Sequence, residues 1–248
     1  MIPLMSEYFY KLFIVGVFLV FGNSICIAQQ EPKPNKIEEG EPKKEKKPKE
    51  KEKLKLSSIR VGTEMLHLIT TAVSNNVKGY ELNGDIGFNN KYFAVVDLGT
   101  EKYIRSNEVD EYEYQSNGNY IRAGFDYNLL YKKTASEALS FGLRYGTSSF
   151  NQKFTYVEED DFWGTSQKYT VEDSKLSASW IELVVAFKVE LFKNIYLSPN
   201  LRLKFLAGKS DTQFVNIADI PGYGNTKSNT RVNVNYTLLY KLPVIKKK

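Results

Sequence analysis

From about residue 57 to residue 242 the chain alternates apolar and polar residues with a period of two. Tyr80, Leu82, Ile86 and Phe88 alternate with Glu81, Asn83, Asp85 and Gly87. Ile121, Ala123, Phe125, Tyr127, Leu129 and Tyr131 alternate with Arg122, Gly124, Asp126 and Asn128. The same rhythm runs through 139–146, 181–191, 195–205 and 232–242, and 92–103 adds a run with Asp97 and Glu101 on its polar phase. The weakest run, 57–66, sets Arg60, Gly62 and Glu64 against Ile59 and Val61. Successive side chains of a strand point to opposite faces, so period-two runs rich in Tyr, Phe, Val and Ile predict β-strands. There are eight runs, an even number.

The connections alternate in length. Asn89-Asn90 and Lys193-Asn194 read as tight turns and 132–137 as a short one, whereas 106–118, 157–167 and 216–229 are long and polar. That alternation predicts an all-β fold, an eight-stranded antiparallel up-and-down transmembrane β-barrel with both termini on its short-turn, periplasmic side. The connection 74–79 is short for the long-loop side. Residues 65–73 fit a short helix as well as a strand, so the first hairpin stays open.

Alternation alone does not say which phase faces inward, because a soluble eight-stranded barrel alternates too. Glycine decides it. Gly62, Gly87, Gly99, Gly124, Gly142, Gly146 and Gly208 fall on the polar phase and only Gly84 on the apolar one. A water-facing strand surface gains nothing from glycine, but a crowded polar lumen needs small residues beside large charged ones. The apolar phase carries too much volume for the inside of eight strands and suits an outward band about 25 Å tall. Tyr92, Tyr131, Tyr196 and Tyr240 are expected at its short-turn rim.

The N-terminus reads as a secretory signal over residues 1–28, with Lys11, an apolar run from Leu12 to Phe21 and a small Ala28 before the cleavage point. The apolar run is about ten residues, half of what a membrane helix needs. Cys26 is the single cysteine. A lipid-anchor cysteine wants a small residue before it and here follows Ile25, so Cys26 is read as part of the discarded signal. Residues 29–56 form a Lys/Glu/Pro-rich tether too poor in apolar residues to bury a core, expected to be disordered and periplasmic. The barrel domain is then 57–248. The net charge of +5 does not imply nucleic acid, because no basic face with interleaved aromatics accompanies it.

In the last run Asn233, Asn235, Leu238 and Tyr240 resemble the C-terminal strand read by the outer-membrane assembly machinery, although a tail of Lys246 to Lys248 follows. The mature chain also resembles an uncharacterised Bacteroidota family of small outer-membrane β-barrel proteins. The resemblance rests on Lys78-Gly79-Tyr80-Glu81, Asp97-Leu98-Gly99, Tyr120-Ile121-Arg122-Ala123-Gly124, Phe141-Gly142-Leu143-Arg144-Tyr145-Gly146 and Trp180-Ile181-Glu182-Leu183. It implies location in a Gram-negative outer membrane and no assigned activity.

Candidate chemistry is sparse. The inward phase brings Glu81, Asp97, Asp126 and Glu182 together with Arg122, Arg144 and Arg202, an expected interior charge network, since buried charges must be paired. Arg144 and Glu182, mid-strand on adjacent strands, are expected partners. Glu64, Asp85, Glu101, Glu190, Arg60, Lys188 and Lys204 share the phase. His67 is the sole histidine, with Ser74 and Glu64 near it in sequence; a lipid-modifying enzyme would have to rely on it. The long loops are acidic: Glu108, Asp110, Glu111 and Glu113 in one, Glu158, Glu159, Asp160 and Asp161 in another beside Phe162-Trp163. Asp160, Asp161, Phe162 and Trp163 are the expected surface-binding residues, carboxylates suiting hard cations that bridge lipopolysaccharide. The expectation is therefore an outer-membrane barrel without open pore, catalytic site, metal or cofactor. Its partners would be outer-membrane lipid, lipopolysaccharide, the assembly machinery and a surface or periplasmic protein.

Overall fold

The computed structural model describes residues 54–107, 112–132, 137–160, 165–212 and 215–243. The expected signal segment and most of the expected tether lie outside the described residues. The elements are β1 (Leu56–Glu64), α1 (Met65–Val73), β2 (Val77–Phe88), β3 (Tyr92–Asn107), β4 (Tyr112–Asn128), β5 (Glu137–Asp160), β6 (Thr165–Phe192), β7 (Ile195–Lys209), β8 (Asp219–Ile220), β9 (Gly224–Asn225) and β10 (Thr230–Leu242). Eight strands close into a barrel in the order β1-β10-β7-β6-β5-β4-β3-β2, each pair antiparallel. β8 and β9 form a small separate hairpin. At the tight turn after β2, Asn89 and Asn90 take φ of 51° and 55°. Positive φ at both central residues gives a turn whose twist matches the flanking strands, and asparagine tolerates it.

The two faces are inverted relative to a soluble protein. Phe125 is 73% exposed and Leu183 49%, while Arg122 is 2% exposed and Glu182 fully buried. Leu143, Leu183 and Leu203 stand side by side on the outer face of β5, β6 and β7. A continuous apolar girdle of this extent is stable against hydrocarbon, where the closed ladder leaves no backbone group unpaired. At the short-turn rim Tyr92, Tyr127 and Tyr131 pack 5.6 Å and 6.2 Å apart by ring centroid, with Lys91 Nζ 5.0 Å from the Tyr131 ring. Tyr196, expected at this rim, instead turns into the lumen beneath the Arg60 guanidinium, 5.4 Å away. It sits one position off the apolar phase, after Ile195, so the pleat points it inward.

Residues 65–73 are helical. Glu64 caps the helix by accepting the His67 amide at 2.5 Å. The segment is rich in β-branched residues, which are poor helix formers. Thr71 compensates by docking onto β2, its hydroxyl donating to Gly79 O at 2.9 Å and accepting from Gly79 N at 2.8 Å.

The described residues of two expected loops, 106–118 and 157–167, are strand. β3 pairs with β4 out to Asn107↔Tyr112, and β5 with β6 out to Asp160↔Thr165. By contrast β2 stops pairing with β3 at Val77↔Tyr103, and β7 with β6 at Lys209↔Ala178. Four strands thus continue past the rim as a wall. Its sequence looks like loop because no lipid there demands an apolar outward face and charged and hydroxyl residues take one side, while Tyr112, Tyr114, Phe154, Tyr156, Tyr169 and Val171 share the other and keep strand character. The third expected loop, 216–229, folds inward. Ile217, Ile220 and Tyr223 are buried against Tyr120, Phe150, Leu176 and Trp180.

Leu183→Arg tests which solvent faces the girdle. In hydrocarbon the substitution costs about 2–4 kcal/mol near mid-depth, read from the urea midpoint of folding into lipid vesicles. On a water-facing strand the effect stays within about 0.5 kcal/mol, and that outcome would exclude a lipid-facing band.

Candidate functional site

Among the described residues the barrel lumen carries seven buried carboxylates, Glu64, Glu81, Asp85, Asp97, Glu101, Asp126 and Glu182, and six buried Lys/Arg side chains, Arg60, Arg122, Arg144, Lys188, Arg202 and Lys204, while Asp173 of the wall and Asp219 of the plug are buried as well. They link into one ladder. At the short-turn end Arg60 Nε donates to Asp85 Oδ1 at 2.8 Å, and Lys188 Nζ to Asp85 Oδ2 at 2.9 Å. Lys188 lies 3.8 Å from Asp126, which Arg144 meets at 3.4 Å. Arg144 also reaches Asp97 at 2.8 Å. Arg122 is the hub, 2.5 Å from Glu81, 3.3 Å from Asp97 and 3.7 Å from Glu182. Arg202 lies 3.6 Å from Glu81 and 3.7 Å from Asp97. Asn83 donates to both Glu81 and Asp97, at 2.8 Å and 2.7 Å.

The seven residues of the expected network, Arg122, Arg144, Arg202, Glu81, Asp97, Asp126 and Glu182, are brought together here. One expected pairing is wrong. Arg144 and Glu182 are direct neighbours in register, yet Arg144 is drawn to Asp97 and Asp126. Glu182 instead accepts the Trp180 indole N–H at 2.7 Å and lies 4.0 Å from Lys204. The cause is room. Gly146 sits opposite Trp180, where a Cβ would come 2.3 Å from the indole ring, so the ring lies across the lumen beside Glu182.

His67 crowns the ladder. Its Nε2 is 3.1 Å from Glu101 Oε1, and its Nδ1 is 3.0 Å from Glu64 and 3.9 Å from Glu81. The helix, not a strand, carries it. Burial opposes the charge, but the carboxylates of Glu101 and Glu64 outweigh it and push the imidazole pKa up to about 10. A protonated His67 adds a positive charge among Glu64, Glu81 and Glu101. Of these carboxylates only Glu64 is near His67 in sequence; Glu81 and Glu101 come from different strands and no spacing links them to it.

Residues 215–229 close the outer end. Arg105 grips Asp219 through two donors, at 2.5 Å and 2.7 Å. Glu101 accepts the Gly222 amide at 2.8 Å, and Lys204 donates to Gly222 O at 2.7 Å. Gln152 donates to Val215 O at 2.6 Å. Gly222, at φ +80°, lies over Tyr120 where a Cβ would fall 2.4 Å from the ring, so only glycine fits. The signal for this plug was present in Ile217, Ile220 and Tyr223, apolar residues flanking Pro221-Gly222 in a stretch read as exposed. A void of about 20 Å³ lies among Asp85, Asp97, Arg144, Lys188 and Arg202, room for about one water.

Of the expected surface-binding residues, Asp160 ends β5, and Asp161, Phe162 and Trp163 lie outside the described residues. Ser74 ends the helix, with its amide bonded to Thr70 O at 2.8 Å.

Arg122→Ala takes one partner from each of Glu81, Asp97 and Glu182. Breaking a buried pair by removing one partner costs about 3–5 kcal/mol, here read from the temperature at which the heat-modifiable gel band converts. An unchanged conversion temperature would remove Arg122 from its place as hub. His67→Gln has a pH signature. A raised histidine pKa contributes stability fully present below the ordinary 6.5 and lost as pH climbs through about 10. The stability gap between native chain and variant should be widest below pH 6.5 and shrink towards pH 10; a gap that grows with pH contradicts a charged His67.

Comparison with known proteins adds the family. No curated protein matches the sequence. Among solved structures, the attachment invasion locus protein Ail of Yersinia pestis superposes with a TM-score of 0.39 at 12% identity over 75% of this chain and 98% of Ail. A second structure of Ail, in complex with the heparin analogue sucrose octasulfate, gives 0.38 at 13% identity over the same shares. Residues 7–247 match the model of a family described as a domain of unknown function, DUF6048, and the chain belongs to that family.

Proposed function

We propose that this protein is an outer-membrane barrel, exported by its N-terminal signal segment, that works as a closed anchor presenting its wall to the cell surface. The observation that carries this is the combination of an apolar exterior with a lumen whose charges are spent on one another. A barrel of eight strands is just filled by side chains, and here the buried ladder occupies the lumen while helix and plug lie over its end. The same filling argues against an open pore. Rigid scaffolds display function at their exposed ends. The wall from β3 to β6 and the acidic, aromatic stretch 158–163 of the sequence are the parts that meet lipopolysaccharide or a surface protein. The tether faces the periplasm. The resemblance to Bacteroidota barrel proteins is in keeping with this placement.

A lipid-modifying activity would have to use His67. That histidine points into the lumen between carboxylates that favour its charged form, the opposite of what a general base needs. This supports a structural role for His67 and no catalysis by the barrel.

Protease shaving of intact cells tests the placement. Cleavage is expected within 157–167 and not within 31–55. Cutting in the tether of sealed cells would invert the topology. Purified protein in planar bilayers is expected to show no steady conductance; large stable single-channel steps would refute the closed lumen.

A further inference from the structure

β6 has one side of its outer half open. β5 pairs with it from Asp160↔Thr165 to Gln152↔Asp173, but β7 joins its other side only from Lys209↔Ala178 inward. Among the described residues no strand covers that edge over 165–176. A strand edge of this kind offers unpaired N–H and C=O groups that an extended chain can satisfy. A bulge at Lys175, with φ 59°, bounds the regular stretch.

The sequence along this edge is complementary to itself. Laid antiparallel about Thr170, Lys168 falls opposite Glu172, Tyr169 opposite Val171, Thr170 opposite Thr170, and Gln167 opposite Asp173. Opposite charges, aromatic with β-branched, and threonine pairs are the cross-strand combinations that stabilise antiparallel sheets. Shifting the centre to Tyr169 sets Lys168 against Thr170 and Glu172 against Ser166, and the charge pairs vanish. The faces also agree. Thr170 lies beside Thr155, 3.2 Å between hydroxyls, and Glu172 lies 3.5 Å from Lys153, both on one face. On the other face Tyr169 ends an aromatic row, 5.6 Å from Tyr156 by ring centroid.

We propose that this edge binds a second copy of the chain, antiparallel about Thr170, so that two four-stranded walls become one sheet. The interface is a twofold, self-complementary one. β6 runs from the wall tip down to the barrel in both copies. Antiparallel pairing therefore sets the barrels at opposite ends, in facing membranes, a consequence that rests on the outward placement of the wall proposed above.

The test uses the full chain in detergent with Cys26→Ser as background. Thr170→Cys places two thiols across the twofold and should oxidise to a disulfide-linked dimer, whereas Ser149→Cys, exposed on β5, should not. Lys168→Glu and Glu172→Lys each set like charges opposite one another at two places. Each variant alone should self-associate roughly tenfold more weakly, and mixing the two should restore association. Thr170→Cys cross-linking no faster than Ser149→Cys, or a mixture as weak as its components, overturns the proposal, as does edge capture of a foreign extended peptide in place of a second copy. Cells carrying the two variants separately should clump only when mixed. Restored pairing in detergent without clumping keeps the interface and refutes the outward wall.

Discussion

A charge with no water near it must find its opposite, and that requirement shapes this molecule from the lumen outward. Closing eight strands inside hydrocarbon sends the apolar phase to the lipid and leaves the polar phase nowhere to go but inward. Desolvating an ion costs several kcal/mol unless an opposite charge and hydrogen bonds stand close by. Arg122 meets that demand by lying within 4 Å of three carboxylates on three strands. The glycines of the inward phase follow from the same demand, because long cationic side chains and the Trp180 ring need space that a Cβ would fill.

The outer end obeys the same rule with different parts. Glu64 finishes β1, caps the helix, faces His67 and accepts the Tyr236 amide of β10 at 3.0 Å. One carboxylate thus couples the barrel seam to the helix that covers it. Glu101 links His67 to the plug through the Gly222 amide. Helix and plug are therefore not decorations on a finished barrel, since they supply charge and hydrogen-bond partners to its buried ions.

Much of this fold is legible in the sequence, because a period of two survives wherever one face meets lipid and the other a polar lumen. Phe125 beside Asp126 and Leu183 beside Glu182 state their faces outright. Legibility fails where that contrast fails. Above the rim no lipid demands an apolar outward face, so the described parts of 106–118 and 157–167 look like loop although they are strand. Met65–Val73 shows neither period clearly, and its helix depends on a cap from Glu64 and a dock through Thr71, which are contacts rather than patterns. Which inward cation meets which carboxylate is equally unreadable, since Arg144 passes over its register neighbour Glu182 for acids one and two strands away on the other side. The family model spans nearly the whole chain without adding an activity, so the functional reading rests on the chain's own geometry.

The plug carries a further consequence for how the molecule is made. Its anchors are remote in sequence: Arg105 and Asp219 are 114 residues apart, Glu101 and Gly222 121. It is also the segment that joins β7 to β10, the strand that seals the cylinder against β1. The plug cannot seat until the early strands stand in place, and the early strands keep unbalanced ions until it does. Partial assembly is therefore penalised at every stage short of the last, and maturation of the barrel should proceed as a single concerted event rather than as a succession of stable halves.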